Sequence, residues 1–374
     1  MKIRKMLSAF LISVCLVCAA SCFAKTDEKD TTKTEQESSE EETAEKETTA
    51  VSVSDTEEET AETTEAPADT TAPMWLEAPD SVTVEQGSDF DINDYISYID
   101  DYDSVVDIEV SGEVDTSAVS DYPISIVLTD DAGNTTSKDM TVKVIEPLPP
   151  PDETDDGPGY EIDYYDYADL ISKYDDGKVM FGIDISKYQG DVDFEKVKAA
   201  GCDFVIMRAM VYYKGELIID DKFSQNIKNA KAAGLKVGVY IYTFANTEEL
   251  VREQTDALCE LLDGEQLDFP VVFDWERFSC FQQYNLSMAD LRNLYQVFKD
   301  ELAEYGYDAM LYSSKYYLET IWKPEGETVW LAHYIGSNDY KSSYEGDYVM
   351  WQISCFGKID GIDGPVDLDI YYGG

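Results

Sequence analysis

Residues 270–276 read Pro270-Val271-Val272-Phe273-Asp274-Trp275-Glu276, an apolar run that ends on two carboxylic acids two positions apart. The run has strand character, and side chains alternate along a strand, so Asp274 and Glu276 point to the same side. Two carboxylates that close do not both ionise easily; one keeps a proton at a raised pKa while the other stays charged. Cleavage of a glycosidic bond needs that division, because the leaving oxygen is protonated while an oxocarbenium-like centre is stabilised or attacked. Two further places repeat the pattern: Asp184 follows the run 179–183, and Asp367 and Asp369 stand in the run 366–370. An acid at the end of a buried apolar strand is costly unless it has a task. Capture of magnesium or calcium by Asp184, Asp274, Glu276 and Asp367 is the competing reading. A zinc site is not expected, because His333 is the one imidazole in the chain, and we expect no metal and no other cofactor.

The elements that must position these acids alternate between strand and helix rhythm. Strand patterns fall at 179–185, 204–208, 236–243, 270–275, 309–312, 329–332, 348–353 and 366–370. Helical patterns fall between the first five, at 194–200, 223–233, 247–262 and 288–305, with Gly201, Gly234 and Gly306 at positions where helices stop. Eight strands with four or five helices predict an α/β fold, an incomplete (β/α)8-like barrel of (β/α)5(β)3 type. In such a barrel chemistry belongs at the carboxyl ends of the strands, where Asp184, Asp274 and Glu276 fall. Aromatic rings near those ends suit the apolar faces of sugars, and Tyr240, Tyr242, Tyr312, Tyr334 and Trp351 are the candidates for substrate binding. Each has the alternative of being barrel core, and Trp275 reads as core or as a wall behind the acids.

Longer phrases make the reading specific. Gly182-Ile183-Asp184-Ile185-Ser186 with Tyr188-Gln189-Gly190, Phe204-Val205-Ile206-Met207-Arg208-Ala209, Asp274-Trp275-Glu276, Trp330-Leu331-Ala332-His333-Tyr334, Trp351-Gln352 and Val366-Asp367-Leu368-Asp369 occur in that order. In order and spacing the region 177–374 resembles the glycoside hydrolase family 25 lysozymes, which are muramidases. The resemblance implies that Glu276 is the general acid, that Asp274 orients or stabilises the substrate, and that Asp184 and Asp367 are further active-site carboxylates. It also implies hydrolysis of the β-1,4 bond between N-acetylmuramic acid and N-acetylglucosamine in peptidoglycan glycan strands. The N-acetyl group of the substrate, a carboxylate and water all remain open as the attacking group. Two positions depart from the family: Ile241 stands where histidine is frequent, and Asp369 where asparagine is common. A glycosidase for another N-acetylated glycan such as chitin, and a non-catalytic wall-binding lipoprotein, are the alternatives.

The rest of the 374 residues frames this domain. Residues 1–24 read as a secretory signal, with a basic start and an uncharged apolar run, and Ala19-Ala20-Ser21-Cys22 resembles a lipoprotein processing site with Cys22 acylated. Ordinary cleavage after Ala24 is the alternative. Residues 25–71 hold 17 acidic residues against 4 lysines and no aromatic, which predicts a disordered tether. Residues 72–146 carry short alternating strands and an Asp130-Asp131-Ala132-Gly133-Asn134 turn; they predict a small β-sandwich and resemble bacterial immunoglobulin-like domains. Residues 147–176 open with Pro147-Leu148-Pro149-Pro150-Pro151 and read as a linker whose tyrosine-rich end either docks or stays solvated. A net charge of −50 argues against nucleic acid as a partner. An extracellular monomer at the cell surface is expected, held to the membrane through a lipid anchor or otherwise secreted. Cys280 with Cys355 is the pair to test for a disulfide.

Overall fold

The protein is described by a computed structural model over residues 69–148 and 164–374, apart from Lys214, residues 336–338 and Gly374. The expected signal segment with Cys22, nearly all of the acidic tether and the Cys280 side chain lie outside the described residues.

The larger part is a closed barrel. Its strands are β8 (Met180–Ile185), β9 (Phe204–Tyr213), β11 (Lys236–Thr243), β12 (Val271–Trp275), β13 (Ala309–Ser314), β14 (Val329–Ala332), β15 (Met350–Lys358) and β16 (Val366–Tyr371). From β8 through β15 each pairs in parallel with the next, and β16 runs antiparallel to both β15 and β8, which closes the ring. The parallel steps need crossovers, and helices supply the first ones: α2 (Phe194–Ala199), α3 (Phe223–Ala232), α4 (Glu248–Leu262), then the single turn α5 (Phe281–Tyr284) with α6 (Met288–Glu304). After β13 a helical turn at Lys315–Tyr317 runs into a π-helical stretch, Leu318–Trp322, and the later strands follow with little helix between. The α/β fold expected from the sequence is thus the one observed.

Alternation along the strands builds two apolar layers. Phe204, Ile206, Val272, Met310, Trp330 and Met350 fill the barrel interior. The neighbouring positions, among them Ile183, Val205, Val239, Phe273, Leu311 and Trp351, face outward into the layer shared with the helices. Gly182 is required at its place, since a Cβ there would lie 2.3 Å from the ring of Phe204. Its missing side chain lets that ring lie across the barrel floor.

Two strand ends run beyond their expected limits. β9 continues past Arg208 to Tyr213 and turns back as β10 (Glu216–Ile219) in an antiparallel hairpin, and β15 reaches Lys358. The β9 extension, residues 209–213, is apolar or aromatic throughout and carries no stop signal.

The preceding region holds β1 (Met74–Glu77) paired with β3 (Ser97–Ile99), and a second sheet ordered β2 (Ser81–Glu85), β6 (Thr135–Ile145), β5 (Ser120–Thr129), β4 (Asp107–Ser111). Val82, Ile124, Ile126, Leu128, Met140 and Val142 form its core. The β5–β6 turn is held by Asn134, whose backbone N–H donates to Asp130 Oδ1 at 2.7 Å. Between the two regions the end of the linker docks: β7 (Tyr165–Asp166) pairs with β15, and α1 (Tyr167–Tyr174) buries Tyr167 and Leu170 in the outer layer. Sandwich and barrel also touch directly. Ile99 is buried among barrel-side residues, and the first N–H groups of α6, from Met288 and Ala289, donate to the carbonyls of Asp100 and Asp101 at 2.9 and 3.0 Å. Those N–H groups have no partner within their own helix, so the sandwich completes the helix start.

Candidate active site

The interior face of the barrel changes from apolar to acidic at one end. Asp184 stands near the end of β8, Asp274 near the end of β12, and Glu276 just beyond it. Because β16 is reversed, Asp367 comes at its beginning, and its Cα is paired with that of Asp184. The antiparallel strand therefore delivers its acid to the same end as the parallel ones, and four carboxyl groups singled out from the sequence share one mouth.

Asp274 and Glu276 lie close enough to influence each other's ionisation. Asp274 is buried, and its Oδ1 is enclosed with no hydrogen-bond partner. Glu276 is reachable by solvent yet ringed by protein. Burial pushes both carboxyls above their ordinary range, and the negative charge of Glu276 raises Asp274 further. The pair thus retains a proton at pH values where a free carboxyl has lost it.

Gln352 organises the opposite side. Its Nε2 donates to Asp184 Oδ2 at 2.8 Å, and its Oε1 accepts from the hydroxyls of Tyr312 at 2.9 Å and Tyr334 at 2.6 Å. Asp367 and Asp369 stand on the neighbouring strand, and burial pushes Asp184 up to about 6. Asp369 lies one layer deeper, where its Oδ1 accepts the Trp330 indole N–H at 2.9 Å; burial and then the charge of Asp184 hold it well above the usual carboxylate range.

Arg208 is the cation nearest this group, and it is already engaged. Its Nε and Nη2 both donate to Asp220 Oδ2, at 3.0 and 2.8 Å, and its guanidinium lies 5.1 Å from the centroid of Tyr188. It lowers Asp274 only as the smallest of several influences. The arrangement suits proton transfer and stabilisation of a cationic centre in a pocket with negative potential.

Of the five aromatic candidates, Tyr240, Tyr242 and Tyr312 are on interior positions of their strands, and Tyr334 stands at the mouth. Trp351 is a correction. It is fully buried on the outer face, with its indole N–H donating to the His333 carbonyl at 2.9 Å and its ring edge-on to Tyr174. Met350 and Gln352, its neighbours, are the interior positions, so strand alternation turns Trp351 away. Trp275 is likewise outer-layer, donating to the Ala245 carbonyl. Not foreseen from the sequence were Gln352 as a hub, the Arg208–Asp220 pair, and a cleft of ≈ 380 Å³ lined by Tyr212, Tyr213, Phe244 and Arg277 among others. The β9–β10 hairpin creates that cleft, and an unbroken apolar run concealed it.

Comparison with known proteins agrees with this geometry. Residues 183–362 match the family described as glycosyl hydrolases family 25, and residues 74–144 match that described as bacterial surface protein, Ig-like domain. An autolytic lysozyme of Clostridium acetobutylicum is 30% identical over 192 residues, 51% of this chain and 55% of that protein. Lysozyme M1 of Streptomyces globisporus is 29% identical over 202 residues, 51% of this chain and 67% of that protein. Among solved structures, the Clostridium perfringens spore cortex lytic enzyme SleM aligns with a TM-score of 0.46 at 25% identity, covering 53% of this chain and 68% of that one. The chain thus spans little more than half the length of the first of these relatives. Its barrel region is thus similar to glycosyl hydrolases family 25, and the region before it to bacterial surface Ig-like domains.

Proposed function

We propose that the barrel is a peptidoglycan muramidase that hydrolyses the β-1,4 bond between N-acetylmuramic acid and N-acetylglucosamine. The observation that carries this reading is the Asp274–Glu276 pair at the end of β12, raised by burial and faced by tyrosines. The two curated relatives are both named lysozymes, which supports the same substrate class.

In this reading Glu276, the solvent-reachable member, protonates the leaving glycosidic oxygen. Asp274 stays charged and stabilises the developing positive centre, or orients the substrate N-acetyl group as the attacking oxygen. Water completes hydrolysis and returns a proton to Glu276. Asp184 adds negative potential that favours retention of the pair's proton, Asp367 stands opposite it, and Gln352 fixes Asp184 through its amide. Tyr240, Tyr242, Tyr312 and Tyr334 line the sugar path.

The rest of the chain fits an enzyme working as a monomer outside the cell. The region 72–146 serves as a spacer, the acidic stretch as a tether and Cys22 as the lipid anchor that keeps the domain near its glycan strands. Among the described residues no helix is long and apolar enough to cross a membrane.

The test is digestion of purified peptidoglycan by the mature protein and by Glu276→Gln, with mass spectrometry of the reduced products. Fragments with muramic acid at the reducing end, absent with the variant, are the expected result. Folded protein that releases nothing from walls of several chemotypes would move the function to another glycan, with chitin the first to try, or to binding alone.

A further inference from the structure

A second group of acids lies away from the catalytic mouth, where the sandwich meets the barrel. Asp69 precedes β1, Asp100, Asp101 and Asp103 follow β3, and Asp130 opens the β5–β6 turn. One carboxylate oxygen from each of Asp69, Asp100 and Asp101 lies within 4.8 Å of the other two, and the same holds for Asp69, Asp103 and Asp130. None of the ion pairs among the described residues involves these aspartates.

The independent observation is the state of individual oxygens. Asp100 is 1% exposed, and its Oδ1 accepts the N–H groups of Tyr102 at 2.9 Å and Asp103 at 2.8 Å. That pair of bonds fixes the carboxylate and leaves Oδ2 enclosed without a partner, as are Asp69 Oδ2 and Asp101 Oδ1. Three enclosed, unpartnered oxygens on three neighbouring acids are a costly arrangement by themselves. A hard divalent cation satisfies them together. Calcium accepts six to eight oxygens at bonds of about 2.4 Å in irregular geometry, whereas magnesium demands a tight octahedron and keeps its waters.

We propose that Asp69, Asp100, Asp101, Asp103 and Asp130 bind calcium at the junction of sandwich and barrel. The ion ties together the segment before β1, the loop after β3 and the β5–β6 turn. The carbonyls of Asp100 and Asp101 receive the first N–H groups of α6, so the same ion fixes the cap that the sandwich places on the barrel. This adds a structural cation to a chain whose sequence led us to expect no metal, and it is independent of the catalytic reading.

The experiment uses the full chain, stripped with chelator and titrated with calcium chloride at constant ionic strength, read by calorimetry and thermal unfolding. Saturable binding is expected, with a melting temperature raised by roughly 5–10 °C at calcium about a hundredfold above Kd. Asp100→Asn loses both effects, whereas Asp121→Asn, which removes one exposed charge from the same sandwich, keeps them. Without calcium Asp100→Asn melts no lower than the parent, since the amide keeps the shape and removes an enclosed charge. Should that variant not fold, Asp103→Asn in the same loop takes its place. Absence of a saturable phase, or a calcium response equal in parent and variant, overturns the proposal and assigns any uptake to the acidic tether. An equal response to magnesium chloride overturns the choice of calcium.

Discussion

Asp184 and Gln352 meet in a 2.8 Å hydrogen bond although 168 positions separate them in the chain. The amide that donates to Asp184 accepts from Tyr312 and Tyr334 at its other end, so a neutral side chain connects an acid of β8 to the aromatic wall of β13 and the loop after β14.

Gln352→Leu keeps the volume and removes both ends of that link. Asp184 Oδ2 and the two hydroxyls lose this partner, and stability falls by about 1–3 kcal/mol for each group left unsatisfied. Denaturant unfolding measures the loss; hydrolysis drops with it, and Tyr334→Phe, which removes a single hydroxyl at the mouth, gives the smaller change. Unaltered stability in Gln352→Leu would show that water replaces the amide at no cost.

Asp274→Asn separates activity from stability. The variant loses a charge facing the reacting centre, and the rate falls by about 10²–10⁴-fold, the range for one positioned acid or base. It also relieves a like-charge contact with Glu276 inside the barrel, so its melting temperature at neutral pH equals or exceeds that of the parent. Glycan turnover and calorimetry on one preparation check both; loss of both together would mean that Asp274 holds the fold.

The alkaline limb of activity reports the acid that must stay protonated. The charge of Glu276 raises Asp184, and the charge of Asp184 raises Asp274, the other member of the pair. Removing that charge in Asp184→Asn therefore moves the limb to lower pH. A pH profile of kcat/KM on soluble glycan measures it, and a limb that stays in place removes Asp184 from the electrostatics of the pair.

Asp369→Asn tests the deeper layer through stability alone. The folded pKa of Asp369 lies well above its unfolded value, so its favourable contribution is present below about pH 4. It is lost as pH rises toward the raised value. The parent accordingly loses stability relative to the variant over that rise, and the gap between their melting temperatures widens with pH. A constant gap would mean that the Trp330 N–H compensates the charge fully.

The acids were legible in the sequence because three physical signals coincide on them: an apolar run, a strand period of two and a charge at the end of the run. Asp184, Asp274 and Glu276 carry all three, whereas Asp367 stands early in its run and joins them through the family resemblance of Val366-Asp367-Leu368-Asp369. Trp351 takes the outer face although an aromatic residue in a strand carries no sign of its side; only the alternation through Met350 and Gln352 carries that information. Gln352 itself was hidden, since an uncharged amide gains its role only from partners far along the chain. The contact of Asp100 and Asp101 with the start of α6 was equally invisible, because backbone carbonyls leave no trace in residue types.

The antiparallel strand β16 gives the domain a threshold in time. Until it pairs with β8, the barrel has two open edges, at β8 and at β15, and Asp184 lacks Asp367 and Asp369 beside it. Pairing of strands so distant in sequence is slow, since a long loop must close before any contact forms. A chain still short of that event holds Asp274 and Glu276 on β12 but not the enclosure that raises them. On the proposed reading, competence for hydrolysis therefore arrives with ring closure and not before it.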